Sequence, residues 1–240
     1  RGAAVDHRGQ EINRNRLVAL ASAIALEGHP GGTVVTDSIT SDGLKEYIET
    51  TLGGKHHRFK RRYKNVINEA LRLNQEGVDC PLAIETSGHA AMGENHFLDD
   101  GAYLVTKILI KMATLRREGK DLEDLLAPLR EPVEAAEVRL PITEEDFRAR
   151  GEGLIAALEE YAKAQGWAIA PDNREGLRVS FPEGEGWFLL RLSVHDPILP
   201  VNLESDAPGG VKLLGQKLLA FLESCPEGID ISPMVRFAKG

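Results

Sequence analysis

The sequence predicts two domains: a mixed, mostly parallel α/β sheet domain with flanking helices, followed by a smaller α+β domain with an antiparallel sheet. Three observations predict this. Strand-like and helix-like segments alternate with short connections over residues 3–117. A stretch at residues 121–136, acidic and bearing Pro128 and Pro132, reads as a connector. Beyond it, three or four strand-like segments follow one another between helices. A length of 240 residues suits two domains at ~100–200 residues each.

Taken in order, Ala3-Ala4-Val5-Asp6 has the character of a short buried strand, and Arg8-Gly9-Gln10 of a turn. Asn15 is a candidate cap for a helix whose Leu17, Leu20, Ala21, Ile24 and Ala25 recur at helical spacing. Gly28 and Pro30-Gly31-Gly32 stop it. Thr33-Val34-Val35-Thr36-Asp37 is a β-branched strand, after which Ser41-Asp42 caps a helix carrying Leu44, Tyr47, Ile48 and Leu52. Lys55–Lys60 is a polar strand candidate, and Tyr63–Glu76 a helix with Val66, Ile67, Ala70, Leu71 and Leu73 on one face. Pro81–Glu85 is another short buried strand. A long helix spans Asp99–Arg117 with a stripe of Ala102, Leu104, Val105, Ile108, Leu109 and Met112.

After the connector, Val138–Ile142 is a strand. Thr143-Glu144-Glu145-Asp146 opens a helix with acidic residues at its positive end, and Phe147, Leu154, Leu158 and Tyr161 form its apolar face. Strands follow at Trp167–Ile169, Gly176–Phe181, Trp187–Leu192 and Val201–Glu204, with turns at Asp172-Asn173, Glu183-Gly184 and Pro197. The last predicted helix is Gly210–Glu223. Ligands of parallel sheets bind beyond the carboxyl ends of the strands, so the loops after Asp37, Lys60 and Glu85 are the ones to watch.

Composition narrows the function classes. There are 29 basic and 37 acidic residues, a formal net charge of −8, with 42% apolar and 28% charged residues. This excludes a wholly disordered chain. No apolar run approaches the ~18 residues of a membrane-spanning helix, and Arg1–Asp6 has no signal-peptide pattern. Cys80 and Cys225 cannot build a disulfide framework or a four-cysteine zinc site. A reducing, cytoplasmic setting is the default expectation. The acidic balance argues against nucleic acid or an anionic membrane as the main partner. The chain has no initiator Met and starts mid-strand, so a fragment of a longer protein is expected.

Three segments can carry chemistry. Glu85-Thr86-Ser87-Gly88-His89 follows a buried strand and offers a carboxylate, a hydroxyl and an imidazole, a set suited to sugar hydroxyls. Gly88 permits a tight turn. A polar loop whose Ser and Glu merely cap the turn explains the same residues equally well. Arg191-Leu192-Ser193-Val194-His195-Asp196-Pro197 closes a strand. Arg191 has the fork that suits a phosphate, Ser193 and the turning backbone amides can add donors to make a small anion nest, and His195 can donate from either ring nitrogen. Asp196 would repel a phosphate and should point away. A plain hairpin turn with a surface ion pair is the competing reading. In Lys55–Lys64, six of ten residues are Lys or Arg (55, 58, 60, 61, 62 and 64), with Phe59 and Tyr63 interleaved. Such a run suits a positive wall beside an anionic substrate, a solvated face, or a nucleic-acid patch.

The remaining polar clusters have simpler readings. His56-His57 would face opposite sides of a strand and make a poor metal motif. Asp99-Asp100 reads as a helix cap, and Glu94-Asn95-His96 as loop. Asp37-Ser38 and Ser41-Asp42 flank a strand-to-helix turn; they could reach a ligand, though capping suffices.

In their order these segments resemble the C-terminal half of an α-D-phosphohexomutase, the phosphoglucomutase/phosphomannomutase family. The family's sugar loop reads roughly Gly-Glu-x-Ser-Gly-His; here it is Ile84-Glu85-Thr86-Ser87-Gly88-His89. Its phosphate loop reads roughly Arg-x-Ser-Gly-Thr-Glu-Pro; here it is Arg191–Pro197, with Val194 and His195 departing from the pattern. Arg62-Tyr63-Lys64 resembles a Gly-Phe-Lys turn, with Arg62 replacing the Gly, and Asp100-Gly101 matches an Asp-Gly after the sugar loop.

The resemblance implies that Glu85, Ser87 and Gly88 bind the sugar. It implies that Arg191, Ser193, Val194 and His195 bind the non-transferring phosphate, and that Lys64 and His89 support catalysis near the reacting oxygen. It implies residues 1–9 as the end of a second domain, 10–131 as the sugar-binding third and 132–240 as the phosphate-binding fourth. The family's phosphoserine loop, Ser-His-Asn-Pro-like, does not occur in these residues. Its magnesium loop, Asp-x-Asp-x-Asp-Arg, does not occur either, with Arg1 corresponding to that loop's final Arg.

The function so implied is interconversion of hexose 1-phosphate and hexose 6-phosphate, glucose or mannose. It proceeds by phosphoserine transfer with Mg2+ and a hexose 1,6-bisphosphate intermediate in the full-length parent. This half is then inactive alone, and its partners are the hexose phosphate and the N-terminal domains of the same chain. The competing classes are a non-catalytic phosphosugar- or nucleotide-binding module and a nucleic-acid binder.

Overall fold

The computed structural model describes residues 1–12, 14–182, 186–225 and 227–240. The turn expected at Glu183-Gly184 lies outside the described residues. Two units, Arg1–Glu131 and Pro132–Gly240, each have their own hydrophobic core.

The first unit opens on a small ladder rather than a buried strand. β1 (Ala4–Val5) pairs antiparallel with β2 (Glu11–Ile12), and Val5 is 65% exposed. Two residues are too few to bury a face. The turn between them forms as expected, with the Arg8 and Gln10 N–H groups donating to Asp6 Oδ1 at 2.8 Å. α1 (Asn15–Leu26) buries Leu17, Leu20 and Ile24. Asn15 is not its cap: its Oδ1 accepts from the Ser41 N–H at 3.1 Å, tying the start of α1 to the next helix.

β3 (Thr33–Asp37) is buried throughout. Ser41 Oγ caps α2 (Asp42–Glu46), accepting from the Leu44 N–H at 3.0 Å, and a π-helical turn continues to Thr51. β4 (Lys55–Phe59), α3 (Tyr63–Gln75) and β5 (Leu82–Ile84) follow. The chain then returns as β6 (Ala90–Met92), a strand without β-branched residues that the sequence pattern does not reveal.

The sheet order is β4-β3-β5-β6, parallel except for β6. Alternate residues serve opposite faces: Val34, Leu82 and Ile84 join α1's side, while Val35 and Ala83 meet Val66, Ala70 and Leu73 of α3. Burial on both faces explains the continuous β-branched run of β3.

α4 (Gly101–Arg117) buries Leu104, Ile108 and Leu115, but Leu109 of the predicted stripe is 53% exposed. The stretch read as a connector is partly folded. Asp121 forms a capping box with Asp124 at α5 (Leu122–Leu126), whose Leu122 and Leu126 enter the first core.

The second unit holds a five-stranded antiparallel sheet in the order β7-β11-β10-β9-β8. Its elements are β7 (Glu134–Pro141), α6 (Phe147–Ala164), β8 (Ala168–Ile169), β9 (Leu177–Phe181), β10 (Gly186–Leu190), β11 (Ile198–Ser205), α7 (Gly210–Ser224) and α8 (Ser232–Lys239). α6 starts later than expected, because Asp146 is its cap and accepts from the Ala149 N–H at 3.1 Å. α8, an unforeseen short amphipathic helix, buries Met234 and Ala238. Phe188, Leu190 and Val201 of the sheet pack with Leu154 and Leu158 of α6 and Leu218 and Leu222 of α7. Among the described residues, no helix is long and apolar enough to cross a membrane.

Candidate functional site

The three parallel strands of the first unit end at Asp37, Phe59 and Ile84, and the polar segments cluster there. The 85–89 loop is closed by its own backbone: Glu85 N–H donates to the His89 carbonyl and Gly88 N–H to the Glu85 carbonyl, both at 2.9 Å. Gly88 has φ +87°, and a Cβ there would lie 2.3 Å from the Gly2 carbonyl oxygen. That approach serves a bond from the Gly2 N–H to the Gly88 carbonyl at 2.8 Å. Only glycine satisfies both demands.

Glu85 turns inward. It is 5% exposed, its Oε1 accepts from the Arg62 N–H at 2.6 Å, and its Oε2 accepts from Ser87 Oγ at 3.2 Å. The bond to Arg62 requires an unusual turn, for Arg62 holds φ +90° where glycine would be at ease. Thr86 Oγ1 donates to Asp37 Oδ2 at 2.8 Å, and Arg61 Nε lies 3.7 Å from the same oxygen.

His89 stands at the rim with both ring nitrogens engaged. Arg1 Nε donates to its Nε2 at 2.8 Å, so Nε2 is the acceptor and Nδ1 carries the proton toward Asp99 Oδ2, 2.7 Å away. Tyr63 stacks on the imidazole with centroids 5.0 Å apart. Lys64 is exposed, its Nζ 6.0 Å from the Tyr63 ring. Glu85, Ser87 and Gly88 thus share one loop, and Tyr63 links Lys64 to His89.

The basic run does not act as one wall. Arg58 is buried: its Nε donates to Thr40 Oγ1 at 3.1 Å, and its Nη2 donates to the Ser41 carbonyl and to Asp42 Oδ1. His57 pairs with Glu69 at 2.9 Å. Lys55 starts β4 and so lies a strand length, about 16 Å, from Lys60. Lys60–Lys64 is the part beside the 85–89 loop.

Sequence reasoning missed two site residues and placed a third loosely. The sequence pairs Asp99 with Asp100 as a helix cap, but Asp100 alone caps α4, accepting from the Ala102 and Tyr103 N–H groups at 3.0 Å, and Asp99 meets His89 instead. Of the residues flanking the strand-to-helix turn, Ser41 does the capping, and Asp37 lies under the loop. Its carboxyl is pushed up to about 6 by burial, against the Thr86 bond and the Arg61 charge, with Glu85 adding to the rise. A lone carboxylate at the end of a β-branched strand was the available signal. Arg61 was noted only as one charge of six.

In the second unit, Arg191–Pro197 joins β10 to β11. Arg191 N–H donates to the Pro200 carbonyl at 3.1 Å and Ser193 N–H to the Ile198 carbonyl at 3.0 Å, so these amides belong to the sheet and not to an anion nest. Ser193 Oγ accepts from the Asp196 N–H at 3.4 Å, which leaves its own proton to donate outward. Val194 and His195 are exposed at the tip. Arg148 of α6 adds an unforeseen cation, its Nη2 donating to the Val194 carbonyl at 2.8 Å. Arg191 lies near enough to Glu137 for its charge to help hold that carboxyl low; burial opposes this, and hydrogen bonds from Arg139 and Asn202 are the stronger lowering causes. Asp196 is exposed and steadies the turn through its backbone, its carbonyl accepting from the Ile198 N–H at 2.8 Å.

Among the described residues, His7, Asp121 and Glu123 could converge on a metal. The imidazole nitrogen departs from the all-oxygen shell that magnesium prefers, and Asp121 is committed to capping α5. This cluster does not fit the magnesium that the resemblance implies.

Comparison with known proteins finds relatives of this chain and of its fold. The family profile described as phosphoglucomutase/phosphomannomutase, alpha/beta/alpha domain III, matches residues 13–132. The chain is 26% identical over 219 residues to a phosphoglucomutase of Neisseria gonorrhoeae, covering 91% of this chain and 44% of that protein. A phosphoglucomutase/phosphomannomutase family structure from Burkholderia thailandensis shares the fold with a TM-score of 0.75 at 24% identity, over 95% of this chain and 45% of that one. An Aspergillus fumigatus N-acetylphosphoglucosamine mutase, solved with glucose 1,6-bisphosphate, shares it with a TM-score of 0.58 at 14% identity, over 93% and 46%. The chain therefore spans about half the length of the relatives it matches.

Proposed function

The chain belongs to the phosphoglucomutase/phosphomannomutase family, and from that premise we propose that it is the sugar- and phosphate-holding part of a hexose-phosphate mutase. The reading rests on one observation above all: Glu85, Ser87 and His89 gather with Arg61, Arg62 and Lys64 at the carboxyl ends of parallel strands. Residues 10–131 then act as the sugar-binding domain and 132–240 as the phosphate-binding domain.

Each residue has a task that its chemistry allows. Ser87 Oγ and the remaining lone pairs of Glu85 take sugar hydroxyls. With its proton fixed on Nδ1 by Asp99, His89 offers Nε2 as an acceptor for a hydroxyl proton once Arg1 yields that position. Lys64 supplies positive charge at the rim. Arg191, the Ser193 hydroxyl and the tip amides at Val194 and His195 hold the phosphate that is not transferred. Phosphoryl transfer depends mainly on positioning and charge neutralisation, which is what these groups provide. The phosphoryl-carrying serine and the magnesium carboxylates of the family pattern are not among these 240 residues, so no step is assigned to them.

The test is turnover of glucose 1-phosphate and mannose 1-phosphate with magnesium, by the longer protein and by this chain alone. The longer protein is expected to interconvert at least one pair of hexose phosphates, and the 240-residue chain to show none. Turnover by the chain alone would overturn the division of labour. Binding without turnover by the longer protein would favour a non-catalytic phosphosugar module.

A further inference from the structure

We infer that Asp37 is a positioning residue of this ligand face: through Thr86 and Arg61 it sets the 85–89 loop and the 60–62 turn in one arrangement, without itself reaching a ligand. The inference deepens the proposed reading and rests on it for the identity of the hexose loop.

Asp37 is the last residue of β3, and its side chain is fully buried. One oxygen, Oδ2, serves two separate segments: it accepts from Thr86 Oγ1 at 2.8 Å and faces Arg61 Nε at 3.7 Å. The other, Oδ1, is buried and accepts no hydrogen bond. A half-satisfied buried carboxylate is a poor stabilising device, and apolar replacements of such groups are often neutral or better. The other four residues of β3 are Val and Thr, so a strand end serving the fold alone had cheaper choices. What the carboxylate adds is a link between two loops that carry the candidate ligand groups. It adds to the direct contacts between them, the Arg62 N–H on Glu85 Oε1 and the Tyr63 ring on His89, a fixed buried anchor beneath both.

The link is also titratable. Burial raises the carboxyl to about 6, opposed by Thr86 and Arg61. Around Asp37, the charged and titratable groups are Arg61 and Arg62 from the turn after β4 and Glu85 from the loop after β5. From β4 itself come Arg58, which reaches the Asp37 carbonyl through Thr40, and His56, which meets Thr36 at 2.7 Å. Protonating Asp37 leaves Arg61 without the charge that draws it inward, so both loops should respond together.

Amide spectra of the 15N-labelled 240-residue chain, recorded from pH 5 to pH 7.5, test this. In the wild type, the amides of Arg61, Arg62, Ser87 and Gly88 should share a midpoint near pH 6. Asp37→Asn should abolish that shared midpoint. Thr86→Val keeps the buried charge and the Thr86 backbone contact but removes the hydroxyl bond, and should reduce the response of the Ser87 and Gly88 amides while those of Arg61 and Arg62 keep theirs. Added glucose 6-phosphate should shift the loop amides at pH 7, with about tenfold weaker affinity in Asp37→Asn, equal to ~1.4 kcal/mol. A midpoint that survives Asp37→Asn, or two loops that titrate independently in the wild type, would overturn the inference. If glucose 6-phosphate moves no loop amide in the wild type, the hexose reading fails, and the pH comparison still decides the role of Asp37.

Discussion

Lowering the pH from 7 to 4 should stabilise the wild-type first unit by roughly 2 kcal/mol relative to Asp37→Asn. The sign follows from where the proton sits. The Asp37 carboxyl rises from 3.8 to about 6 on folding, chiefly through burial. Between those values the folded chain keeps a proton that the unfolded chain has released. The stabilisation is therefore fully present below the unfolded value and is lost as pH rises through the folded one. Each unit of difference is worth about 1.36 kcal/mol, and most but not all of it is realised at pH 4, where the unfolded carboxyl has begun to take up its own proton. Asparagine is neutral throughout. The cost of burying its amide N–H groups shifts stability by a constant and drops out of the pH comparison.

The two tryptophans, Trp167 and Trp187, both lie in the second unit, so their fluorescence serves as a control that should not respond. Hydrogen exchange of the β3 amides, Val34 to Thr36, reads the first unit directly. Parallel pH profiles for the two proteins would show that Asp37 is already ionised in the fold at no cost.

Arg191→Ala in the longer protein should weaken hexose-phosphate binding by about 1.5–3 kcal/mol, or roughly 10- to 150-fold, the scale of a charge-assisted hydrogen bond. Arg191 stands where β10 ends, its backbone held in the sheet by the Pro200 carbonyl, so the guanidinium is presented from a rigid base. Calorimetric titration with glucose 1-phosphate measures the effect. Arg191→Lys restores the charge without the planar fork, and should recover only part of the loss. Trp187, four residues away and stacked under Arg178 at 3.5 Å, reports whether the neighbouring strand remains intact. Unchanged affinity in a folded Arg191→Ala variant would remove the phosphate-holding role proposed for the 191–195 loop.

The main elements of both sheets were legible because burial and periodicity coincide. β3 is β-branched and buried on both faces, and α3 repeats its apolar residues at three and four. β6 was not legible, since Ala90–Met92 owes its pairing to the loop that folds it back on β5 rather than to its own composition. α5 hid inside an acidic, proline-bearing stretch because the signals for a linker and for a capped short helix overlap. The 85–89 and 191–197 loops, one in each unit, were visible as candidates because they are dense runs of ligand-type residues. The partners that orient them were not, because Asp37, Arg61 and Asp99 come from other segments and acquire meaning only through contacts at a distance in the chain. In the 191–197 loop, which amides belong to the ladder with β11 is likewise set by pairing across the turn: those of Arg191 and Ser193 bond to Pro200 and Ile198.

The most direct measurement is a map of where a hexose phosphate touches this chain. With glucose 1,6-bisphosphate added to the labelled protein, and inorganic sulfate as the control for charge alone, amide shifts should concentrate at residues 60–64, 85–89 and 191–195. Sulfate should move the last group but not residues 85–89. Shifts confined to other surfaces, or an 85–89 loop that answers sulfate as it answers the sugar, would contradict the assignment of a hexose-binding loop and a separate phosphate-binding loop to this chain.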